Sequence, residues 1–372
     1  MNTDRISVKQ LRALYLVSVL SPAIRLIPNS TVLHAKSASW LSAVFALGPV
    51  LLYVLLLEAA GRRHRDGESI KDFVSRAIGK RAGKAVLLAV GLWLAFYAGF
   101  LLRVDAERMH ATIYKEGSVF VFAGASLIVA YIVASGSVRA LARMAEVFLP
   151  ILYAVLAFSC ALALVDVKTE NLLPVTAQDI PGAIYGALPV TNVLAVAAYF
   201  LLFLENTEKH KDAKRIMLRG SLCIMAGVFA VLLTVTGTLS APLANHLNNP
   251  FFVMSRNLSV FGVNERIEAV VIALWVVTDL IFTSAVIRAS ASALHGAIGK
   301  GTLKIFILAA SVGALAGAIF CARDAFVLSK VSEYWVPLGN IFFTCVLFPV
   351  VFIIGIRRNR KGKRKQDTIS GG

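Results

Sequence analysis

Ten separate apolar stretches, each close to the length of a bilayer crossing, occupy almost all of a 372-residue chain. A helix needs about 20 mainly apolar residues to cross roughly 30 Å of hydrocarbon. The stretches fall at 11–32, 39–59, 85–109, 118–135, 145–166, 183–204, 218–240, 267–288, 304–322 and 334–356. No segment between them is long enough to build a second, soluble core. The chain is 58% hydrophobic and 16% charged, with a mean hydropathy of +0.75, outside the range of soluble domains. Lipid offers no partners to backbone N–H and C=O groups, so only helices or a closed barrel can span it. Runs such as Ala85–Leu102 do not alternate as barrel strands do. The pattern predicts an all-α polytopic membrane protein with about ten transmembrane helices. It forms a single transmembrane domain over 1–356, followed by a basic tail at 357–372.

Lysine and arginine set the expected orientation. The N-terminus, the 60–84, 136–144, 205–219 and 288–304 loops and the tail hold 28 of the 38 Lys and Arg. Both termini are therefore expected in the cytoplasm. The formal net charge of +17 is spread over every loop of one face, which excludes a nucleic-acid-binding surface. The dense run Arg357–Lys365 reads as a topology anchor that also touches anionic headgroups. The first stretch lacks a small-residue cleavage pattern and is expected to be retained. Cys160, Cys223, Cys321 and Cys345 lie far apart within spans, as small buried hydrophobes do. Neither they nor the six histidines have metal-ligand spacing, so no metal and no cofactor is expected. There is no phosphate loop and no catalytic constellation, so the chain is not expected to be an enzyme.

Helix irregularities at membrane depth point to function, because exposed backbone is tolerated mainly where it lines a cavity. Span 1 contains Ser21-Pro22-Ala23-Ile24-Arg25 and then Pro28. Each proline removes a donor and crowds the carbonyl four residues back. Span 6 contains Gly186 and Pro189, with Thr191 and Asn192 beyond them. Spans 1 and 6 hold equivalent places if the chain is two sets of five, at about 11–166 and 183–356. Interrupted segments at matching positions mark the binding site of transporter-type folds.

Charges within spans carry the same weight. Arg25 lies near mid-depth beside the first break, and Asp279 lies well inside span 8. The two would neutralise each other as a pair, or either would face a water-filled cavity and meet a ligand carboxylate or ammonium. Arg103, Asp105, Glu107 and Arg108 lie towards the outer end of span 3, where a solvated interface is expected.

Several motifs together resemble one family. They are Ile6-Ser7-Val8-Lys9-Gln10 before span 1, Ser39-Trp40-Leu41-Ser42 at span 2 and Ile78-Gly79-Lys80-Arg81-Ala82-Gly83 before span 3. Ala142-Arg143-Met144-Ala145-Glu146 with Pro150 follows at span 5, then Leu172-Leu173-Pro174. The outer-loop run Pro250–Asn257, with Glu265-Arg266-Ile267-Glu268 and Trp275-Val276, is the most specific piece. From about Ile6 to Arg360 the chain resembles the GerAB-type spore germination permeases, the integral B subunits of nutrient germinant receptors. These belong to the amino acid–polyamine–organocation superfamily. Two departures bear on the ligand: Ser21-Pro22-Ala23 replaces a glycine-containing break, and Ala38 replaces an acidic residue before the tryptophan.

The resemblance implies a leucine-transporter-like 5+5 inverted repeat with broken helices 1 and 6. It also implies a germinant pocket near the midplane between spans 1, 3, 6 and 8. By position, its lining would be Ser21, Ala23, Ile24 and Arg25 from span 1, and Tyr97 and Leu101 from span 3. Span 6 would add Pro189 and Thr191, and span 8 Thr278 and Asp279. Freed backbone N–H groups would hold a carboxylate while Ile24 and Leu101 sense an apolar side chain. The expected partners are a small nutrient such as an amino acid, A-type and C-type receptor subunits, and the lipid of the spore inner membrane. An ion-coupled secondary amino acid transporter is the alternative, since one fold serves both.

Overall fold

The computed structural model describes residues 4–65, 67–112, 117–208, 211–247, 249–257, 267–321 and 325–355. The basic tail and the Glu265-Arg266 stretch of the outer-loop motif lie outside them. The helices are α1 (Val8–Ala35), α2 (Ser39–Gly61), α3 (Ile70–Ile78), α4 (Lys80–Thr112), α5 (Val119–Ser135), α6 (Val138–Ala163), α7 (Ile180–Ala195), α8 (Ala213–Leu239), α9 (Ala241–His246), α10 (Pro250–Arg256), α11 (Ile267–Ile298), α12 (Leu303–Cys321), α13 (Ala325–Lys330) and α14 (Val336–Asn340). Among the described residues, eight helical stretches are long and apolar enough to cross a bilayer. The first, Val8–Gly61, divides near Lys36, whose φ is +47°, into α1 and α2. Val119–Ser135 is a shorter apolar helix, which brings the spans to the ten expected. Among the described residues the only β pairing is an isolated bridge between Ile6 and Thr207.

Local chemistry explains where the helices begin and turn. Ser7 and Gln10 form a capping box on α1: Ser7 Oγ accepts from the Gln10 amide (3.2 Å) and Gln10 Oε1 accepts from the Ser7 amide (3.0 Å). Gln10 Nε2 then donates to Glu146 on α6 (3.1 Å), so two of the sequence motifs meet in space. Gly79 turns α3 into α4 with a φ of +97° that only glycine adopts freely.

The interruptions of spans 1 and 6 take a different form from the sequence expectation. Pro22 and Pro28 lie inside a continuous α1, and the α geometry of span 6 runs through Gly186 and Pro189. Span 6 changes only at Val196, where it tightens into a 3₁₀ helix as far as Asn206. Eleven residues is long for such a helix, whose hydrogen bonds are poorer than those of an α-helix. Span 10 is also irregular, with π-helical turns at Val331–Trp335 and Ile341–Leu347 on either side of α14. Buried prolines are tolerated in such helices because neighbouring helices take up the freed backbone groups.

Among the described residues the core is a large apolar cluster running through the long helices, with a small separate one of Ala35, Ala38 and Ala183. α4 makes its most extensive contacts with α11 and α12, and α1 with α7 and α8. At the basic face the N-terminal segment is strapped down. Asp4 Oδ1 accepts from the Val138 and Arg139 amides (2.6 and 3.4 Å), and Oδ2 pairs with Arg288 of α11 (3.1 Å). Arg288 also donates to the Ala134 and Gly136 carbonyls (2.7 and 2.5 Å). Asp4→Ala removes the carboxylate from a buried arginine and is expected to cost about 2 kcal/mol. The checks are a thermal melt in detergent and faster hydrogen exchange at the Val138 amide. Unchanged protection there would show that the strap carries no load.

Candidate functional site

Three helices each present one polar face at the same depth. On α1, Ser21 and Arg25 are four residues apart, one above the other. On α4, Tyr97, Leu101, Asp105 and Arg108 follow a four, four, three spacing that keeps them on a single face. On α11, Trp275, Asp279 and Phe282 do the same. All of these residues are buried.

The charged groups close into a ring. Arg25 Nη1 donates to Asp105 Oδ1 (3.0 Å), and Arg108 Nη2 donates to the same oxygen (2.7 Å). Arg108 also pairs with Asp279 Oδ2, while Arg25 lies 3.9 Å from that oxygen. Ser21 Oγ donates to Asp279 Oδ1 (2.5 Å). Two guanidiniums and two carboxylates thus sit together with no net formal charge. Isolated, any one of them would cost several kcal/mol to hold out of water, and pairing offsets that cost. The Arg108 guanidinium also lies 5.3 Å from the centre of the Trp275 ring.

Two aromatic layers enclose the ring. On the side away from the basic face, Phe251 and Phe252 of α10 pack on Trp275, with centroids 6.5 and 5.9 Å away. Towards the basic face, Tyr97 packs edge-on to Phe282 (6.0 Å) and beside Trp93, Phe100 and Tyr199. Below it, Tyr199 OH donates to Asn340 Oδ1 (2.9 Å) and Trp93 Nε1 donates to Tyr199 OH (2.9 Å), which ties span 10 to spans 3 and 6. A narrow apolar cavity adjoins the ring on its α6 side. It is lined by Ile24, Leu152, Leu156, Phe251, Leu274 and Trp275 among others.

The structure brings together Ser21, Arg25 and Asp279, with Tyr97 and Leu101 buried on the face of α4 that carries Asp105; Ala23 and Ile24 are buried on α1, and Ile24 lines the adjoining cavity. Thr278 is buried beside Asp279, but its hydroxyl turns back onto the Leu274 and Trp275 carbonyls (2.9 and 3.1 Å). Pro189 and Thr191 are only half-buried, and Thr191 Oγ1 donates back to Ala187 O (2.9 Å). Arg25 and Asp279 do approach each other, yet each has a closer partner of opposite charge. The reading of Asp105 and Arg108 as solvated interface is overturned, since both are buried in the ring. Arg103 is buried as well, paired with the half-exposed Glu107 (2.5 Å). Continuing the Tyr97–Leu101 spacing along α4 would have found Asp105 and Arg108.

The comparisons fit this architecture. The model of a family described as spore germination protein matches residues 5–322. No protein with a curated description is significantly similar in sequence. Among solved structures, the chain is similar to Mhp1, a nucleobase-cation-symport-1 family transporter in a closed conformation with bromovinylhydantoin bound. The TM-score is 0.69 at 13% identity, over 96% of this chain and 80% of that one. It is also similar to a Na+-coupled sialic acid symporter in a substrate-bound, outward-open state. There the TM-score is 0.59 at 10% identity, over 95% and 77% of the two chains. At these identities the likeness establishes a leucine-transporter-type fold.

Proposed function

This chain belongs to the spore germination protein family, and we propose that within it the protein is the membrane-embedded, nutrient-sensing subunit of a germination receptor. One observation carries the reading: a neutral ring of two guanidiniums and two carboxylates, joining three helices and sealed by aromatic layers. Such a ring matches the charge pattern of a zwitterion. The carboxylate of an amino acid would displace Asp279 or Asp105 from Arg25 and Arg108, and its ammonium would meet the carboxylates so released. Its side chain would enter the apolar cavity beside Ile24 and Trp275. Ser21, Ala23, Leu101 and Tyr97 would shape the pocket, with Thr278, Thr191 and Pro189 at its margins.

A sensor needs only different affinities for two conformations, and no turnover. Exchanging ion pairs supplies that difference, because the ring couples α1, α4 and α11. Movement among them would pass to A-type and C-type partner subunits in the spore inner membrane and trigger ion release. With both termini cytoplasmic, the aromatic layer of α10 would face the incoming nutrient.

The test is release of spore-core dipicolinate on a panel of amino acids, sugars and nucleosides, in parent spores and in spores carrying Arg25→Ala. A response to one amino acid, weakened at least about thirtyfold by the substitution with the protein still in the membrane, is the expected result. An unchanged dose–response curve would remove Arg25 from the site. Intact responses in spores lacking the gene, together with solute uptake by proteoliposomes, would favour an ion-coupled transporter.

A further inference from the structure

A second, larger cavity opens far from the charge ring, at the basic face between α3, the start of α4, the 3₁₀ part of span 6 and the end of span 10. It is open to the outside at its mouth. Its floor and walls are wholly apolar and include Val74, Val90, Leu202, Leu347 and Phe348. Among the described residues that line it, the only polar side chains are two arginines, Arg63 and Arg76. Arg63 lies 4.9 Å over the Phe352 ring, and Arg76 lies 5.6 Å over the Phe73 ring. Arg76 also donates to the Arg63 main-chain carbonyl (3.0 Å) and is held at two points by the Glu68 carboxylate (2.9 and 2.6 Å). Arg63 is exposed and makes its own hydrogen bond to the Ala59 carbonyl (2.8 Å). Residues 60–84 carry eight Lys or Arg against three Asp or Glu.

We propose that this cleft binds an anionic phospholipid of the leaflet at the basic face, with an acyl chain between α4 and span 10 and the phosphate at Arg63 and Arg76. Three features select that occupant. From Gly355 to Phe343 the wall descends about 18 Å, close to the depth of one leaflet's hydrocarbon. An inserted peptide would bring backbone N–H and C=O groups into a cleft that offers them no partner below the rim. An acyl chain has no such groups, and the exposed Arg63 guanidinium complements a phosphate, with Arg76 adding Nη1, the nitrogen that its pair with Glu68 does not use. The lipid would brace the end of span 10, which follows its second π turn, against α3, independently of any nutrient.

The experiment uses the full chain in nanodiscs containing phosphatidylglycerol with a photoactivatable group near the end of one acyl chain. Cross-links are mapped by peptide mass spectrometry. Expected are adducts within 86–90 or 343–352 that unlabelled phosphatidylglycerol displaces at least about fivefold better than phosphatidylcholine. Arg63→Gln should lower the yield about fivefold. Leu347→Trp, which fills the cleft, should abolish it while thermal unfolding shows the variant folded. Equal labelling of all lipid-facing helices, displacement by either lipid alike, or cross-links to a second copy at these residues would each overturn the proposal. The phosphatidylglycerol competition needs no variant, so it decides even where a substitution disturbs folding.

Discussion

Neutralising Asp279 alone, as Asp279→Leu, should cost about 3–5 kcal/mol of stability, because it strands buried guanidinium charge. Arg108→Leu should cost a similar amount, and the double variant should recover much of the loss. Removing both members leaves Arg25 and Asp105 as a neutral pair 3.0 Å apart. The informative comparison is between cycles. Coulomb's law alone gives Arg25 with Asp279, at 3.9 Å, only about a quarter less attraction than a pair at 3.0 Å. What Arg25 and Asp279 lack is the hydrogen bond, worth about 1.5–3 kcal/mol when the groups are charged. Coupling in the Arg108/Asp279 and Arg25/Asp105 cycles should therefore exceed that of Arg25/Asp279 by about that amount. Denaturant or thermal unfolding of the purified variants measures each term. Three equal couplings would mean that the ring acts as diffuse charge, without the discrete pairs described. A folded Arg108/Asp279 double variant should still fail to answer its nutrient, which separates the stability of the ring from its proposed use.

Much of this arrangement is legible in the sequence, and the rest is hidden for definite reasons. The ten spans follow from apolar run length, since a bilayer imposes one length on every crossing. Arg25 and Asp279 stand out because isolated charges at mid-span demand an explanation. Asp105 and Arg108 were hidden by their company. Arg103 and Glu107 crowd the same end of α4, and the four charges together read as an interface. The helix is longer than expected and runs on to Thr112, which leaves Asp105 and Arg108 inside the protein. The form of the helix interruptions was not legible either. Proline marks where a donor is lost, but neighbouring helices decide whether the backbone unwinds. The π turns of span 10 belong to the same class. Gly339 sits against the Trp93 ring, where a Cβ would come within 2.0 Å, and nothing local to 331–347 announces that contact. The motifs at Ser7, Gln10 and Glu146 proved to be helix caps and a helix-to-helix tie.

The second large effect is expected at Gly99, half a turn from Tyr97 and Leu101 on α4. A methyl group there would lie 2.3 Å from the Ala314 carbonyl oxygen, 2.7 Å from the Ala318 nitrogen and 2.9 Å from the Gly317 carbon. All three are backbone atoms of α12, so no side chain can rotate away. Small residues let membrane helices approach this closely, and Gly317 faces Gly99 across the contact. Gly99→Ala must push α4 and α12 apart, at a cost of about 3 kcal/mol. α4 also carries Asp105 and Arg108, so the ring's hydrogen bonds should lengthen and the nutrient response should fall with stability. Gly124→Ala is the control, because a methyl group there meets nothing within 4 Å. In the interior of α5 it should leave stability unchanged or raise it by up to about 1 kcal/mol. Melting curves of the two variants in the same detergent decide the matter. A Gly99→Ala protein that melts with the parent would mean that α4 and α12 stand further apart, and α4 could then no longer be fixed tightly enough to hold Asp105 against both arginines.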